Sequence, residues 1–354
     1  MTEQVTPAAD SLGIVLSGTG GVWRVRRGDG VVVDAALRGR LKRFDDAKGK
    51  QARADRDGGR ARASVKSRAD KRDDRTDTTE APTLKLAVGD EVHIEQDGDG
   101  AHWAISGILP RRSQLARRAP GGGYGQRIVA ANVDQVLIVF AAANPEPHPR
   151  MLDRFLIIAE ANDIAARVVI NKADLVSPES VRLRFADYER AGYPVHVTST
   201  TTGRGLDALR GVLEGRTTAL SGPSGVGKSS LMNAMFLGLD LRVGEISQSV
   251  NKGRHTTVGA LLHPLPNGGY VVDTPGLREI GMWGLTAENL DGYFPEFRPY
   301  LGQCRFVDCI HVVEPGCAIR EALARDDISA VRYDTYVKLL SELAEEAASW
   351  AWRV

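Results

Sequence analysis

Two textures of hydrophobic patterning follow one another along the chain. From Leu12 to Leu109 the apolar residues fall in short runs, at 13–16, 22–25, 31–35, 84–88, 91–94 and 103–108. Turn sequences such as Gly28-Asp29-Gly30 and Asp97-Gly98-Asp99-Gly100 separate them. Several short strands punctuated in this way predict a small barrel or sandwich. After Gly125 the apolar runs are more continuous, at 135–141, 167–170, 194–198, 217–221, 258–265 and 270–272. Helix-period segments near 150–162, 177–191, 205–213 and 229–236 lie between them. Buried strands alternating with helices predict an α/β parallel sheet. Ser177 before Pro178 reads as an N-cap with proline at the first helical position. At the end of the chain Tyr333, Tyr336, Leu340 and Leu343 recur at helical spacing, a stripe expected to pack in a core.

Two stretches fit neither texture. Residues 38–83 are dense in Arg, Lys and Asp and almost free of aliphatic side chains. Such a segment cannot bury enough apolar surface to offset its ordering entropy, and a disordered, net-basic loop is expected. Either a solubilising insertion or an RNA-contacting arm fits that composition, since basic tracts attract polyanions without specificity. Residues 111–125, with Arg111, Arg112, Arg117, Arg118 and the glycines 121–123, read as a linker. The 354 residues exceed the length of about 250–300 at which single cores stop growing. Three domains are expected: a barrel-like unit over 1–118, an α/β unit over 119–283 and a C-terminal unit over 284–354.

Composition narrows the class only a little. With 42% hydrophobic and 26% charged residues the chain is ordinary for a soluble protein, and a net charge of +1 makes no global case for nucleic acid. No apolar run approaches the ~20 residues a membrane span needs, and the polar, acidic first ten residues do not resemble a secretory signal. All three cysteines fall between Cys304 and Cys317. An odd number in so short a window points to metal ligation in a reducing compartment, and the cytoplasm is expected.

The candidate chemistry begins with Gly222-Pro223-Ser224-Gly225-Val226-Gly227-Lys228-Ser229, which fits G-x-x-x-x-G-K-[ST] between an apolar strand and a helix. Its glycines let the backbone turn tightly and aim N–H groups at phosphate oxygens, and the helix dipole adds to the field. Lys228 is expected on the β- and γ-phosphates and Ser229 on Mg²⁺. Upstream, a buried strand ends in Asn171-Lys172-Ala173-Asp174, an N-K-x-D sequence. A carboxylate at 174 accepts two hydrogens from guanine's N1–H and exocyclic amine. Adenine offers no matching donors and would leave that carboxylate buried and unpaired. Asn171 would tether the loop, the Lys172 stem would lie over the ring, and Ser199 or Thr200 would supply a backbone N–H to the base oxygen. Downstream, Asp273-Thr-Pro-Gly276 fits D-x-x-G, with Asp273 reaching Mg²⁺ through water and the Gly276 N–H facing the γ-phosphate. Between these lies Gly253-Arg-His255-Thr256-Thr257, where a threonine completes the Mg²⁺ shell. The set of elements is complete, but the base loop precedes the phosphate loop, a rotated order that a chain with neighbouring termini tolerates. Where many GTPases carry a water-orienting glutamine after D-x-x-G, this chain has Leu277, which leaves His255 as the candidate for that role.

Cys304-x4-Cys309-x-His311-x5-Cys317 supplies four ligands of the type that suits one tetrahedral, structural Zn²⁺. A nucleotide-driven shift of the segment after Asp273 is expected to move this unit.

Together these motifs resemble the circularly permuted bacterial GTPases known as ribosome small subunit-dependent GTPase A (RsgA or YjeQ). The likeness runs from about Gly13 to the final helix except for 38–83, and takes in Gly222 to Ser230 and Cys304 to Cys317. It departs at the long basic loop and at Val258, where a third threonine is common. The resemblance implies an N-terminal OB-fold, a permuted GTPase domain and a C-terminal zinc domain. It also implies GTP hydrolysis stimulated by the small ribosomal subunit and its rRNA late in assembly, by a monomeric protein with no membrane partner. Two other readings remain. A P-loop kinase or ATPase would explain the phosphate loop but not Asn171 to Asp174. An RNA-binding adaptor with vestigial hydrolysis would use the barrel and the metal loop.

Overall fold

The computed structural model describes residues 11–38, 85–96, 100, 102–118, 126–236, 239, 241, 260–273 and 285–351. The basic segment read at 38–83 falls almost wholly outside the described residues. The chain divides into two compact units, with the boundary between Pro110 and Arg111.

The first unit is a closed barrel of β1 (Leu12–Thr19), β2 (Val22–Arg27), β3 (Val32–Leu37), β4 (Glu91–Gln96) and β5 (Trp103–Ile108), in the order β1-β2-β3-β5-β4. β1 pairs with β4 to close it, and β3 pairs with β5 in parallel. Its core is Val15, Val25, Ala35, Leu86, Val92, Ile94 and Ile105. Among the described residues, closure leaves none of these five strands at a free sheet edge. Residues 85–88, expected as a strand, are not one. Leu86 and Val88 are buried, but the backbone turns there, with Asp90 Oδ2 accepting the Ala87 N–H at 2.7 Å. Alternating apolar residues recorded burial there rather than ladder pairing.

The second unit opens with a hairpin of β6 (Gln114–Arg118) and β7 (Gln126–Ala131). Part of the stretch read as linker is therefore a strand, anchored because Leu115 and Ala116 are buried. Then follow β8 (Gln135–Ala141), α1 (Pro149–Ala161), β9 (Ala165–Asn171), α2 (Pro178–Arg190), β10 (Val195–Val197), α3 (Leu206–Leu213), β11 (Thr217–Ser221), α4 (Lys228–Met235), β12 (Leu261–Pro264) and β13 (Tyr270–Asp273). The sheet order is β10-β9-β8-β11-β13-β12, with β12 antiparallel at the edge and the others parallel. Every residue of central β8 is buried because helices cover both faces. Leu137, Val139 and Ala141 pack with Leu206, Leu209 and Leu213 of α3 and with Leu231 and Met232 of α4. On the opposite face Phe140 meets Phe155 of α1 edge-on. Ser177 does cap α2, its Oγ accepting the Ser180 N–H at 3.2 Å.

After residue 285 the chain runs through short 3-10 turns into α5 (Ala318–Ala324) and α6 (Ala330–Ala351). Tyr336, Leu340 and Leu343 are buried with Phe294, Phe297 and Ile319, so the terminal stripe is core. α6 is locked to α1 through a charge that hydropathy patterning does not reveal. The fully buried Arg332 donates to Asp153 Oδ1 at 2.7 Å and to both carboxylate oxygens of Glu296 at 2.7 and 3.1 Å. Its guanidinium also lies 5.0 Å from the Phe294 ring. Burial alone would disfavour the charge, but Glu296 and Asp153 outweigh it and hold the guanidinium ionised. Removing one partner of such a buried network typically costs about 3–5 kcal/mol.

Candidate nucleotide site and metal centre

β9, β11 and β13 run in parallel and end on the same side of the sheet, at Asn171, Ser221 and Asp273. The carboxyl ends of parallel strands are where such folds bind ligands. The base loop and the phosphate loop leave this edge on either side of β8, separated in sequence but joined in space. Asn171 is buried, and its Nδ2 donates to the Val226 carbonyl at 3.0 Å. Its Oδ1 lies 3.3 Å from the Thr198 hydroxyl. Lys172, held in the left-handed region at φ 58°, sends its ammonium to the Gly225 carbonyl at 2.7 Å and also to the Asn144 carbonyl. A non-glycine residue in that region carries a conformational cost, of a kind that clusters at functional sites.

The glycines of the phosphate loop are required by these contacts. Gly222 sits at φ 125°, and a Cβ there would lie 2.1 Å from the Val139 carbonyl oxygen. Gly227 sits at φ 93°, where a Cβ would lie 2.6 Å from Asn171 Nδ2. The loop therefore lies directly against β8 and the base loop, and α4 starts from its end. Lys228 Nζ donates to the Gly222 and Pro223 carbonyls at 2.7 and 2.6 Å, folding across the loop it belongs to. Ser229 is buried in the first turn of α4. Glycine-rich backbone at a helix N-terminus makes an anion-binding concavity.

Asp174 is exposed. Its Oδ1 accepts the Ser199 hydroxyl at 2.5 Å. The sequence pointed to a backbone contribution from 199 or 200 but not to this side-chain bond. The Ser199 N–H donates to the Arg204 carbonyl at 3.0 Å. His255, Thr256, Thr257 and Gly276 lie outside the described residues, and Asp273 is placed only as the last residue of β13.

The four ligand atoms of Cys304, Cys309, His311 and Cys317 lie within 4.8 Å of one another. Cys304 Sγ is 3.9 Å from Cys317 Sγ, and His311 Nδ1 is 3.5 and 3.4 Å from those sulfurs. Ligands about 2.0–2.3 Å from a tetrahedral ion should be roughly 3.3–3.8 Å apart, so this cluster fits a metal ion. Asp291 Oδ2, 3.3 Å from His311 Nε2, orients the ring with Nδ1 toward the sulfurs. Burial works against charge on His311, but hydrogen bonds to Asp291 and Cys317 prevail and raise its pKa to about 9. Beneath the loop, Tyr333 and Tyr336 donate to the His311 and Ile310 carbonyls at 2.6 and 2.9 Å. Asp291 and these hydroxyls were invisible to spacing arguments because they act on ligands from other elements.

A parallel sheet whose phosphate loop follows the N-K-x-D strand, behind a five-stranded barrel and ahead of a Cys3His loop, defines a circularly permuted P-loop GTPase. The RsgA GTPase family pattern matches residues 108–283. The small ribosomal subunit biogenesis GTPase RsgA of Gemmatimonas aurantiaca is 58% identical over 332 residues, 94% of this chain and 97% of that protein. The crystal structure of YjeQ from Thermotoga maritima superposes with a TM-score of 0.71 at 32% identity, covering 94% of this chain and 98% of that one. YloQ, described as a circularly permuted GTPase, gives 0.66 at 25% identity over 98% and 99%. The chain belongs to the RsgA GTPase family and is a GTPase.

Proposed function

We propose that this GTPase acts in biogenesis of the small ribosomal subunit in the cytoplasm, as a monomer whose turnover the subunit and its rRNA stimulate. The observation that carries the catalytic part is the pair of hydrogen bonds from Asn171 and Lys172 into the phosphate loop. These bonds join the base loop to the phosphate loop and support reading Asp174 and Lys228 as parts of one nucleotide site. The ribosomal part rests on the likeness to the named relatives.

In this reading Asp174 accepts guanine's N1–H and amine, Asn171 fixes the loop, and Lys172 covers the ring. The Thr200 N–H takes the base oxygen, since that of Ser199 is engaged by Arg204. Residues 222–230 cradle the phosphates, and Lys228 exchanges its loop carbonyls for phosphate oxygens. Ser229 and Thr257, with Thr256, would hold Mg²⁺, and Asp273 would do so through water. When bound, that ion would supply charge neutralisation on the triphosphate. Water attacks the γ-phosphorus, the bond to the β,γ-bridging oxygen breaks, and GDP and phosphate leave. Lys228 and backbone N–H groups, including that of Gly276, stabilise the charge on the transferring group. His255 orients the water, because Leu277 has no group with which to do so. Cys304, Cys309, His311 and Cys317 would hold Zn²⁺ in a structural role, since four protein ligands leave no open position for chemistry.

Measuring GTP turnover with and without purified small subunits tests the proposal. Stimulation by intact subunits, and less by free ribosomal RNA, is expected. Equal turnover in all three conditions overturns it and favours an adaptor with vestigial hydrolysis.

A further inference from the structure

The metal loop carries a feature that metal binding does not explain. Phe306, Val307, Ile310 and Val313 all project from it, at 42%, 107%, 50% and 77% exposure. Isolated exposed apolar residues are ordinary, but here four lie within eight positions of one loop.

This stretch is also held in place. Cys304, Cys309, His311 and Cys317 bracket it. Glu314 accepts the N–H groups of Ile310, Val312 and Val313, each at 3.0 Å. The Arg305 N–H donates to the Gly316 carbonyl at 3.0 Å and closes the base of the loop. With the tyrosine hydroxyls pinning His311 and Ile310 from below, the backbone has few alternative conformations to lose on docking. A pre-ordered apolar projection lowers the cost of association.

We infer that this knuckle docks into an apolar pocket on a protein component of the small ribosomal subunit, an inference that rests on the function proposed above. Charge selects protein over RNA. Phosphate contact requires excess positive charge. Here Arg305 and Arg320 are offset by Asp308 and Glu314. Three thiolates and an imidazole around a divalent cation add net negative charge, which complements a basic protein and opposes a polyanion. Val307, Ile310 and Val313 offer neither hydrogen bonds nor π faces to nucleotides. Phe306, the one aromatic among the four, has the Arg305 guanidinium 5.5 Å from its ring centroid, over one face. Val307, fully exposed, and Val313, mostly so, would gain burial when seated in a pocket.

The test uses the full chain with Val307→Asp and Val313→Asp together, and separately a photo-reactive benzoylphenylalanine placed at position 307. Both substituted sites are exposed, so metal content and basal GTP turnover should equal those of the parent. Affinity of the double variant for purified small subunits should fall about tenfold or more, and the photoprobe should attach to a ribosomal protein. Parent-like affinity of the aspartate variant, or attachment to rRNA alone, overturns the knuckle proposal. If the parent chain itself fails to bind small subunits, the functional reading fails first and takes the knuckle with it. If the parent binds and the variant binds equally, only the knuckle is lost.

Discussion

At the scale of single residues, Asn171 and Lys172 each donate a hydrogen bond from the base loop into the phosphate loop. N-K-x-D and G-x-x-x-x-G-K-S are legible in sequence because each sets, at fixed spacing, residue types suited to a guanine edge and a triphosphate. The bonds that support them come from residues distant in the chain, such as Ser199 on Asp174 and Val226 on Asn171, and no local pattern encodes those. Arg332 shows the same limit, since a charge inside a helical core stripe looks like an error until Asp153 and Glu296 are seen around it. His255 is the residue whose role is most exposed to test. Replacing it with alanine should abolish subunit-stimulated turnover while leaving GTP affinity nearly unchanged. Single-turnover kinetics with saturating small subunits measure this, and undiminished turnover assigns the water to another group.

At the scale of elements, hydrophobic period was a good guide where strands or helices bury a regular face. β8 and β11 match their expected limits of 135–141 and 217–221. It failed where burial and hydrogen bonding part company, as at Leu86 in a buried turn, and where a short strand such as β6 has arginines among its residues. The metal loop was legible from spacing alone, yet its support by Asp291, Tyr333 and Tyr336 was not. Those three side chains tie the loop to the C-terminal core, so metal removal should loosen more than the loop. Treatment with a strong chelator is expected to release a single zinc ion per chain and to open residues 301–317 to protease, because metal binding supplies folding free energy. Quantitative metal analysis with limited proteolysis checks this. Unchanged protease resistance in metal-free protein would show that the core holds the loop unaided.

At the scale of the molecule, the permuted order is resolved by sheet topology. β8 lies between β9 and β11, so the base loop and phosphate loop emerge as neighbours although some 50 residues separate Asn171 from Gly222. A parallel sheet fixes which strands adjoin, not the order in which the chain visits them, and for that reason function survives rotation of the sequence. The same unit carries the metal loop, joined to the sheet domain through Arg332 and Asp153. The account rests on one guanosine nucleotide spanning Asp174 and Lys228, and base selectivity tests that most directly. With Asp174→Asn, an amide that both donates and accepts matches xanthine's carbonyl and N–H in place of guanine's two donors. Affinity for GDP should fall by roughly 5- to 150-fold, the loss of about 1–3 kcal/mol expected for a mispaired polar group. Affinity for xanthosine diphosphate should rise. If calorimetry finds GDP binding unchanged in the variant and no gain for xanthosine diphosphate, the carboxylate does not read the base and the proposed site is wrong.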